Sequence, residues 1–168
     1  AHLGDALRAP SDITFLPYLS GERTPHNDAD IRGAFLGLSA GHDVADMTAA
    51  VLQGVCFGLR DSVAALQATG VTLPRLMAIG GGTGSRYWLK MLASVFNMPI
   101  DLPDGGEFGA ALGAARLAIV ACADGQIEDV MAPPAIRETI FPDPDLVPDY
   151  DAAYQSFRAA YSGVKSVQ

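Results

Sequence analysis

The chain has 168 residues, of which 49% are hydrophobic and 18% charged, and its formal net charge is −8. This length fits one domain with one buried core, and the apolar share excludes a wholly disordered chain. With 11 Lys and Arg against 19 Asp and Glu, the composition argues against a nucleic-acid binder. A phosphate ligand is still compatible with this charge, because backbone N–H groups and helix N-termini hold anions without lysines.

The two cysteines, Cys56 and Cys122, are too few and too far apart for a disulfide framework or a zinc site. Both lie in apolar, helix-like stretches and are predicted to be buried, reduced thiols. The histidines His2, His26 and His42 are scattered without ligand spacing, so no metal site is predicted. Neither a membrane span nor a signal peptide is evident, and we predict a cytoplasmic protein.

The first half of the chain predicts two strands followed by a long helix. The strands are expected at residues 13–19 and 34–38, with a polar loop between them. Asp43 is typical of a helix N-cap, and Asp46 is its capping-box partner. The apolar positions that then recur at three- and four-residue steps are Leu52, Val55, Leu59, Val63 and Leu66.

The second half alternates strands and helices, which predicts an α/β layer architecture. A strand at 76–79 is followed by a glycine turn and a helix that ends at Asn97, and a second strand follows at 99–102. Gly105 and Gly106 are expected to open a third helix. Its small residues at 109, 110, 113 and 114 would let another backbone pack closely.

We expect residues 1–125 to form one domain, followed by two further segments. Residues 126–149 contain five prolines and are predicted to be an extended segment on the surface. Residues 150–168 predict an amphipathic helix that packs on the same domain. The aromatic stripe of this helix consists of Tyr150, Tyr154, Phe157 and Tyr161.

The most informative segment chemically is the strand–glycine–helix connection at residues 79–88. Its glycines permit close approach of a ligand, and the next helix would direct its N-terminal N–H groups at an anion. A P-loop is excluded because no Gly-Lys pair exists, and the strict dinucleotide fingerprint fails at Ser85. The residues alone leave two alternatives open, a phosphate-binding loop and a tight structural turn.

Carboxylates give no comparable signal. No pair is close enough in sequence to suggest an acid–base dyad. Glu22 and Arg23 could form a surface pair, which would contribute little to stability. Asp104 and Glu107 flank a predicted helix start, where the helix dipole favours carboxylates without any function.

Three blocks of sequence resemble the C-terminal domain of the FGGY carbohydrate kinases, most specifically the xylulose kinases. The first block is FLPYLSGERTPHN at residues 15–27. The second is GAFLGL at 33–38, followed by Asp46-Met47 and AVLQ at 50–53. The third is GGGxxSxxW at 80–88, continuing to GxAxGAA at 109–115.

The resemblance implies an actin-like (ribonuclease H-like) α/β fold whose C-terminal domain has a mixed sheet with flanking helices. In that family two such domains close over Mg-ATP and a sugar. Gly81 and Gly82 would lie near the α-phosphate, Ser85 near the ribose or adenine, and Trp88 behind the loop. The nucleotide-binding residues implied are Gly80, Gly81, Gly82, Thr83 and Ser85. Lys90, where many relatives have Gln, departs from the pattern one turn into the helix.

The same resemblance implies that the catalytic aspartate, most sugar contacts and the Mg²⁺ site lie upstream, in a missing N-terminal domain. No catalytic residue is therefore assigned to this chain, and Ala1 is interpreted as a cut into a longer one. The parent enzyme would transfer the γ-phosphoryl of ATP to the 5-hydroxyl of D-xylulose. The chain alone would be inactive, would bind ATP weakly, and could self-associate as a homodimer through its exposed cleft wall.

Two alternatives to this function stay open. The first is an FGGY kinase for another sugar or polyol, such as ribulose, gluconate or glycerol. The second is a non-catalytic actin-like interaction module. No nucleic-acid or membrane partner is expected under any of the three.

Overall fold

The computed structural model describes residues 3–4, 6–122 and 127–168. Two short 3-10 turns, Gly81–Gly84 and Gly106–Phe108, lie directly before the second and third helices. The strands are β1 Thr14–Leu16, β2 Ala34–Leu36, β3 Leu76–Met77, β4 Ile100–Pro103 and β5 Ile136–Ile140. The α-helices are α1 Val44–Gln67, α2 Arg86–Phe96, α3 Gly109–Cys122, α4 Ile127–Val130 and α5 Val147–Lys165.

The predicted cap of α1 is confirmed. The Asp43 carboxylate accepts hydrogen bonds from the N–H groups of Ala45 and Asp46 at 2.7 and 3.0 Å. In return the Asp46 carboxylate accepts from the Asp43 N–H at 3.0 Å, which completes a capping box. This reciprocal pair satisfies N–H groups that have no partner inside the helix, and so it defines where α1 begins.

By length and composition α1 could cross a membrane. In this structure, however, it is a core helix of the domain. Cys56 and Phe57 are buried in one hydrophobic cluster with residues of α2 and α5. Asp61 is also buried on α1, where it accepts a hydrogen bond from the Tyr154 hydroxyl of α5. A core helix with a long apolar face passes the same length test, so we do not take α1 as membrane-spanning.

The described strands form two sheets. β1 and β2 pair antiparallel, with Phe15 opposite Phe35. In the larger sheet, of order β3-β4-β5, β3 and β4 are parallel whereas β4 and β5 are antiparallel. This is the predicted mixed sheet with flanking helices. The parallel pair matters for function, because β3 and β4 both end at the same edge of the sheet and both lead into glycine turns.

The prediction that residues 126–149 form an extended surface segment is wrong. This segment contains the short helix α4 and the strand β5, and β5 pairs with β4 so that Ile140 lies opposite Ile100. The physical reason is that the prolines flank the run Ile136–Ile140 and do not interrupt it, so its N–H groups stay available for pairing. The division of the chain at 125/126 and 149/150 stays a prediction.

The main core joins the N-terminal part of the chain to α5. Tyr150, Tyr154 and Phe157 are buried there against Leu16 and Phe57, as the aromatic stripe predicts. A second cluster lies between α2 and the larger sheet and includes Leu89, Ala93, Ile100, Leu102 and Ile140. Residues of α2 belong to both clusters, so α2 lies between them, and the glycine turn before it has no buried residue.

The third helix differs from its prediction in two ways. It begins at Gly109, after a 3-10 turn, and none of its described residues is buried. Of its small residues, Gly109 lies close to the Gly80 backbone, whereas no described atom lies within 4 Å of the position that a Cβ on Gly113 would occupy. The prediction that Cys122 is buried is also wrong, because it lies exposed on this helix, whereas Cys56 is buried as expected.

Candidate functional site

The first glycine turn follows β3 and closes on itself. Gly80 has φ +91°, a backbone conformation that side chains strongly disfavour. The Gly80 carbonyl accepts from the backbone N–H of Thr83 at 3.1 Å and from the Thr83 hydroxyl at 2.8 Å. The Ser85 N–H donates to the Gly82 carbonyl at 3.2 Å. These hydrogen bonds close the turn on its own backbone.

Adjacent glycines in this turn have different surroundings. A Cβ on Gly81 would meet no described atom within 4 Å, so its backbone is open to a ligand. A Cβ on Gly82 would lie 2.2 Å from Cζ3 of Trp88, which is far inside van der Waals contact. Gly82 is therefore required by packing, whereas the openness at Gly81 has no packing reason among the described residues.

Trp88 braces the turn from behind, as predicted. Its indole ring packs against Gly82, and its Nε1–H donates to Sγ of Cys56 at 3.0 Å. Cys56 is fully buried on α1, and burial raises the pKa of its thiol to about 12. The neutral thiol is thus a fixed acceptor, and it ties the position of the turn to the longest helix of the core.

Ser85 begins the helix that follows the turn. Its hydroxyl accepts from the Trp88 N–H at 3.3 Å, the arrangement of an N-cap side chain. The N-terminal end of α2 therefore lies at the turn, where the helix dipole favours an anion. The turn is braced structurally by Trp88 and Ser85, and a phosphate ligand at its helix N-terminus stays a prediction.

A second glycine turn, which the sequence analysis did not assign to the site, supports the first. It follows β4, and its Gly106 carbonyl accepts from the Gly80 N–H at 2.8 Å. Gly105 and Gly109 have φ of +66° and +47°, and a Cβ on Gly109 would lie 3.6 Å from the Cα of Gly80. The sequence signal for this turn is the GGxxG pattern at residues 105–109, one residue after β4, and by itself the pattern predicts only a helix start.

The two turns meet at the carboxyl ends of adjacent parallel strands. In open α/β sheets, ligands bind in the crevice outside these strand ends.

Other polar side chains named in the sequence analysis form contacts with residues outside the two glycine turns. Glu22 accepts from the His26 N–H at 2.8 Å, and His42 pairs with Asp12 at 3.0 Å. Among the described residues, no group of three His, Cys, Asp or Glu side chains could hold a metal ion.

His2 and the side chain of Glu107 lie outside the described part of the structure.

Asp101 is buried in β4, where its carboxylate accepts a hydrogen bond from the Thr139 hydroxyl at 2.6 Å and pairs with Arg75 at 2.8 Å. The hydrogen bond from Thr139, with Arg75 as the second partner, lowers the pKa of this carboxyl. Asp101 therefore stays ionised and holds the sheet together beneath the turns.

Comparison with known proteins agrees with this fold. Residues 3–122 match the sequence profile of the C-terminal domain of the FGGY family of carbohydrate kinases. The chain therefore belongs to this family, and its fold is that of the actin-like C-terminal domain. This match covers both glycine turns, α2 and α3.

Individual relatives are named for particular sugars. The chain is 38% identical over 150 residues to the xylulose kinase of Escherichia coli K12, covering 89% of this chain and 31% of the relative. It is 34% identical over 121 residues to the gluconokinase of Bacillus subtilis, covering 71% and 23%. The crystal structure of a xylulose kinase from Brucella ovis superposes with TM-score 0.88 at 48% identity, covering 99% and 35%. The chain thus spans about a third of these xylulose kinases.

Proposed function

We propose that this chain forms the nucleotide-binding side of a cytoplasmic, ATP-dependent kinase that phosphorylates D-xylulose at its 5-hydroxyl. The observation that carries the proposal is the open backbone at Gly81, at the carboxyl end of β3, in a chain whose relatives include xylulose kinases. The cytoplasmic location is supported by the metabolic role that these names imply. The chain would act with a second domain outside these 168 residues.

The residues of the turn fit a nucleotide. ATP would supply the transferable γ-phosphoryl group. The backbone at Gly81 and Gly82 would approach the α-phosphate, and the open space at Gly81 leaves room for it. The N-terminus of α2 would add a favourable dipole. Thr83 and Ser85 would act mainly by shaping the cradle, since both hydroxyls already hold backbone groups of the turn.

The chain's own contribution would be binding and orientation. Phosphoryl transfer also needs a base for the sugar hydroxyl and a metal ion that neutralises charge on the phosphates. We propose, as the family resemblance implies, that Mg²⁺ and the base are held by the other domain. On this view the chain alone binds ATP weakly and has no kinase activity.

Trp88 provides the test, because it is the only tryptophan in the chain and contacts the turn. We expect ATP to change its fluorescence, with saturation in the micromolar to millimolar range. Gly81→Val should weaken ATP binding at least about ten-fold, a loss of about 1.4 kcal/mol, because the new side chain occupies the cradle. Gly163→Val, at an open glycine of α5, is the matched control and should bind as wild type does.

Equal ATP affinity in the Gly81→Val and wild-type chains would contradict the nucleotide site. Nanomolar affinity of the chain alone would contradict the need for a second domain. The same pair of variants in the full-length kinase should show the effect in the KM for ATP. There the Gly81→Val variant is expected to lose activity while the Gly163→Val variant retains it.

The sugar is tested separately, in the full-length enzyme. We expect higher kcat/KM on D-xylulose than on ribulose, gluconate or glycerol. Gluconate is the strongest competitor, because the gluconokinase of Bacillus subtilis is also a relative. Turnover of any of the three that equals or exceeds turnover of D-xylulose would overturn the substrate assignment and leave the nucleotide site intact.

A further inference from the structure

The indole ring of Trp88 lies between the candidate nucleotide turn and the core of the domain. One edge of the ring faces the turn, since Cζ3, Cε3 and Cη2 lie 2.2, 3.0 and 3.3 Å from the position of a Cβ on Gly82. The opposite edge carries Nε1, which donates its hydrogen to Sγ of Cys56 at 3.0 Å. The ring therefore connects the position of Cys56 to that of the Gly82 backbone.

Cys56 is a fixed point on α1. It is 0% exposed and belongs to the main hydrophobic cluster, together with Phe57 and residues of α2 and α5. This part of α1 packs directly on β1, because a Cβ on Gly54 would lie 2.2 Å from the carbonyl oxygen of Phe15. Close-packed elements shift only with loss of contacts. The sulfur that accepts from Trp88 is thus held by the core, independently of the turn.

The bond to Cys56 is the one that orients the indole. Nε1–H is the only polar group of a tryptophan side chain, and a buried indole N–H normally has a partner. The backbone N–H of Trp88 is bonded to the Ser85 hydroxyl at 3.3 Å, which fixes the start of α2 but not the side-chain torsions. Without an acceptor at position 56, the indole N–H would lose its partner, and the ring would turn toward water to regain one.

We propose that Cys56 is a positioning residue of the nucleotide site. By holding the indole of Trp88, it keeps the Gly82 backbone in the arrangement that binds ATP. This inference rests on the proposed function and adds to it a residue that lies outside the glycine turn and touches no nucleotide. When the bond is lost, the turn samples other arrangements, and the apparent affinity for ATP falls with the fraction of molecules that are competent to bind.

Three variants separate positioning from stability. Cys56→Ala removes the acceptor. Cys56→Ser keeps an acceptor for the indole, and in a helix its own hydroxyl donates to the carbonyl of Leu52, four residues earlier. Val164→Ala is the matched control, because it removes buried apolar atoms from the same cluster on α5 and leaves the acceptor at position 56 unchanged.

The first measurement needs no nucleotide. Trp88 is the only tryptophan of the chain, so its indole N–H gives one assignable NMR signal. Exchange of this hydrogen with solvent should be at least about ten-fold faster in the Cys56→Ala chain than in wild type, because the bond that protects it is gone. The Cys56→Ser and Val164→Ala chains should exchange at nearly the wild-type rate.

The second measurement is the affinity for ATP. Cys56→Ala should raise the Kd about three- to ten-fold, the effect of one lost hydrogen bond. Cys56→Ser should restore most of this loss, and Val164→Ala should bind as wild type does. In the full-length kinase, Cys56→Ala should raise the KM for ATP by the same factor. The KM for the sugar should not change, because the effect is confined to the nucleotide turn.

Three results would overturn the inference while leaving the proposed function intact. The first is equal exchange of the indole N–H in the Cys56→Ala and wild-type chains. The second is equal affinity of these two chains for ATP. The third is a loss of affinity in Val164→Ala as large as that in Cys56→Ala, since reduced stability would then explain both. Absence of ATP binding by the wild-type chain and by the full-length kinase would instead refute the proposed function, and this inference with it.

Discussion

Neighbouring glycines in one turn should respond in opposite ways to the same substitution. A Cβ at position 82 would lie 2.2 Å from Cζ3 and 3.0 Å from Cε3 of Trp88. The indole cannot retreat easily, because its Nε1–H is bonded to Cys56 in the core. Overpacking of this kind costs about 1 to 3 kcal/mol. Gly81→Ala meets open space and should stay within about 0.5 kcal/mol of wild type.

The assay is thermal unfolding of the two alanine variants, followed by circular dichroism and by Trp88 fluorescence. For a chain of this size each kcal/mol lowers Tm by about 2 to 4 °C, so Gly82→Ala should lower it by roughly 2 to 12 °C. Its fluorescence should also shift, because the indole must move. Equal Tm values for the two variants would refute the separation of a packing glycine from an open one.

Three further outcomes follow from burial and exposure. A thiol reagent at pH 8 should modify Cys122 rapidly and Cys56 only after unfolding, because burial raises the pKa of the Cys56 thiol to about 12; mass spectrometry would detect the site. Thr139 and Arg75 lower the pKa of Asp101, so its stabilising effect is present above pH 3.8 and is lost as pH falls through the lowered folded-state pKa. Asp101→Asn should flatten that part of the acid unfolding curve. The chain alone should self-associate through the exposed apolar face of α3, and a monomer at every concentration in light scattering would count against this.

The sequence predicted the elements whose signals are local. Asp43 and Asp46 marked the start of α1, and Asn97, which the structure places in the left-handed region, marked the end of α2. The strands were predicted too long, since β1 ends before Pro17 and β3 is only Leu76–Met77. Strand length depends on which neighbours are available for pairing, and a local pattern does not contain that information.

The strand β5 is a second element whose pairing the local sequence pattern does not predict. Its flanking prolines suggest an irregular segment, yet four of its five residues pair with β4, on the side of β4 that β3 does not occupy. In the candidate site, the glycine pattern located the turn and the helix that follows it. The pattern could not tell Gly81 from Gly82, because the difference is made by Trp88, which lies within van der Waals reach only once α2 has folded back.

The sequence by itself determined the family, the acidic and apolar composition, the start of α1, the end of α2 and the position of the first glycine turn. These follow from residue types and short spacings, which act within one turn of helix or one strand. Only the tertiary structure decided which glycine is open, that the Gly106 carbonyl supports Gly80, and that β3 lies at an edge of the described sheet. The Gly80–Gly106 bond and the edge of β3 arise from contacts between segments far apart in the chain. Gly82 and Trp88 are only six residues apart, but the indole is held in place by Cys56 of α1, so this contact too depends on the whole fold.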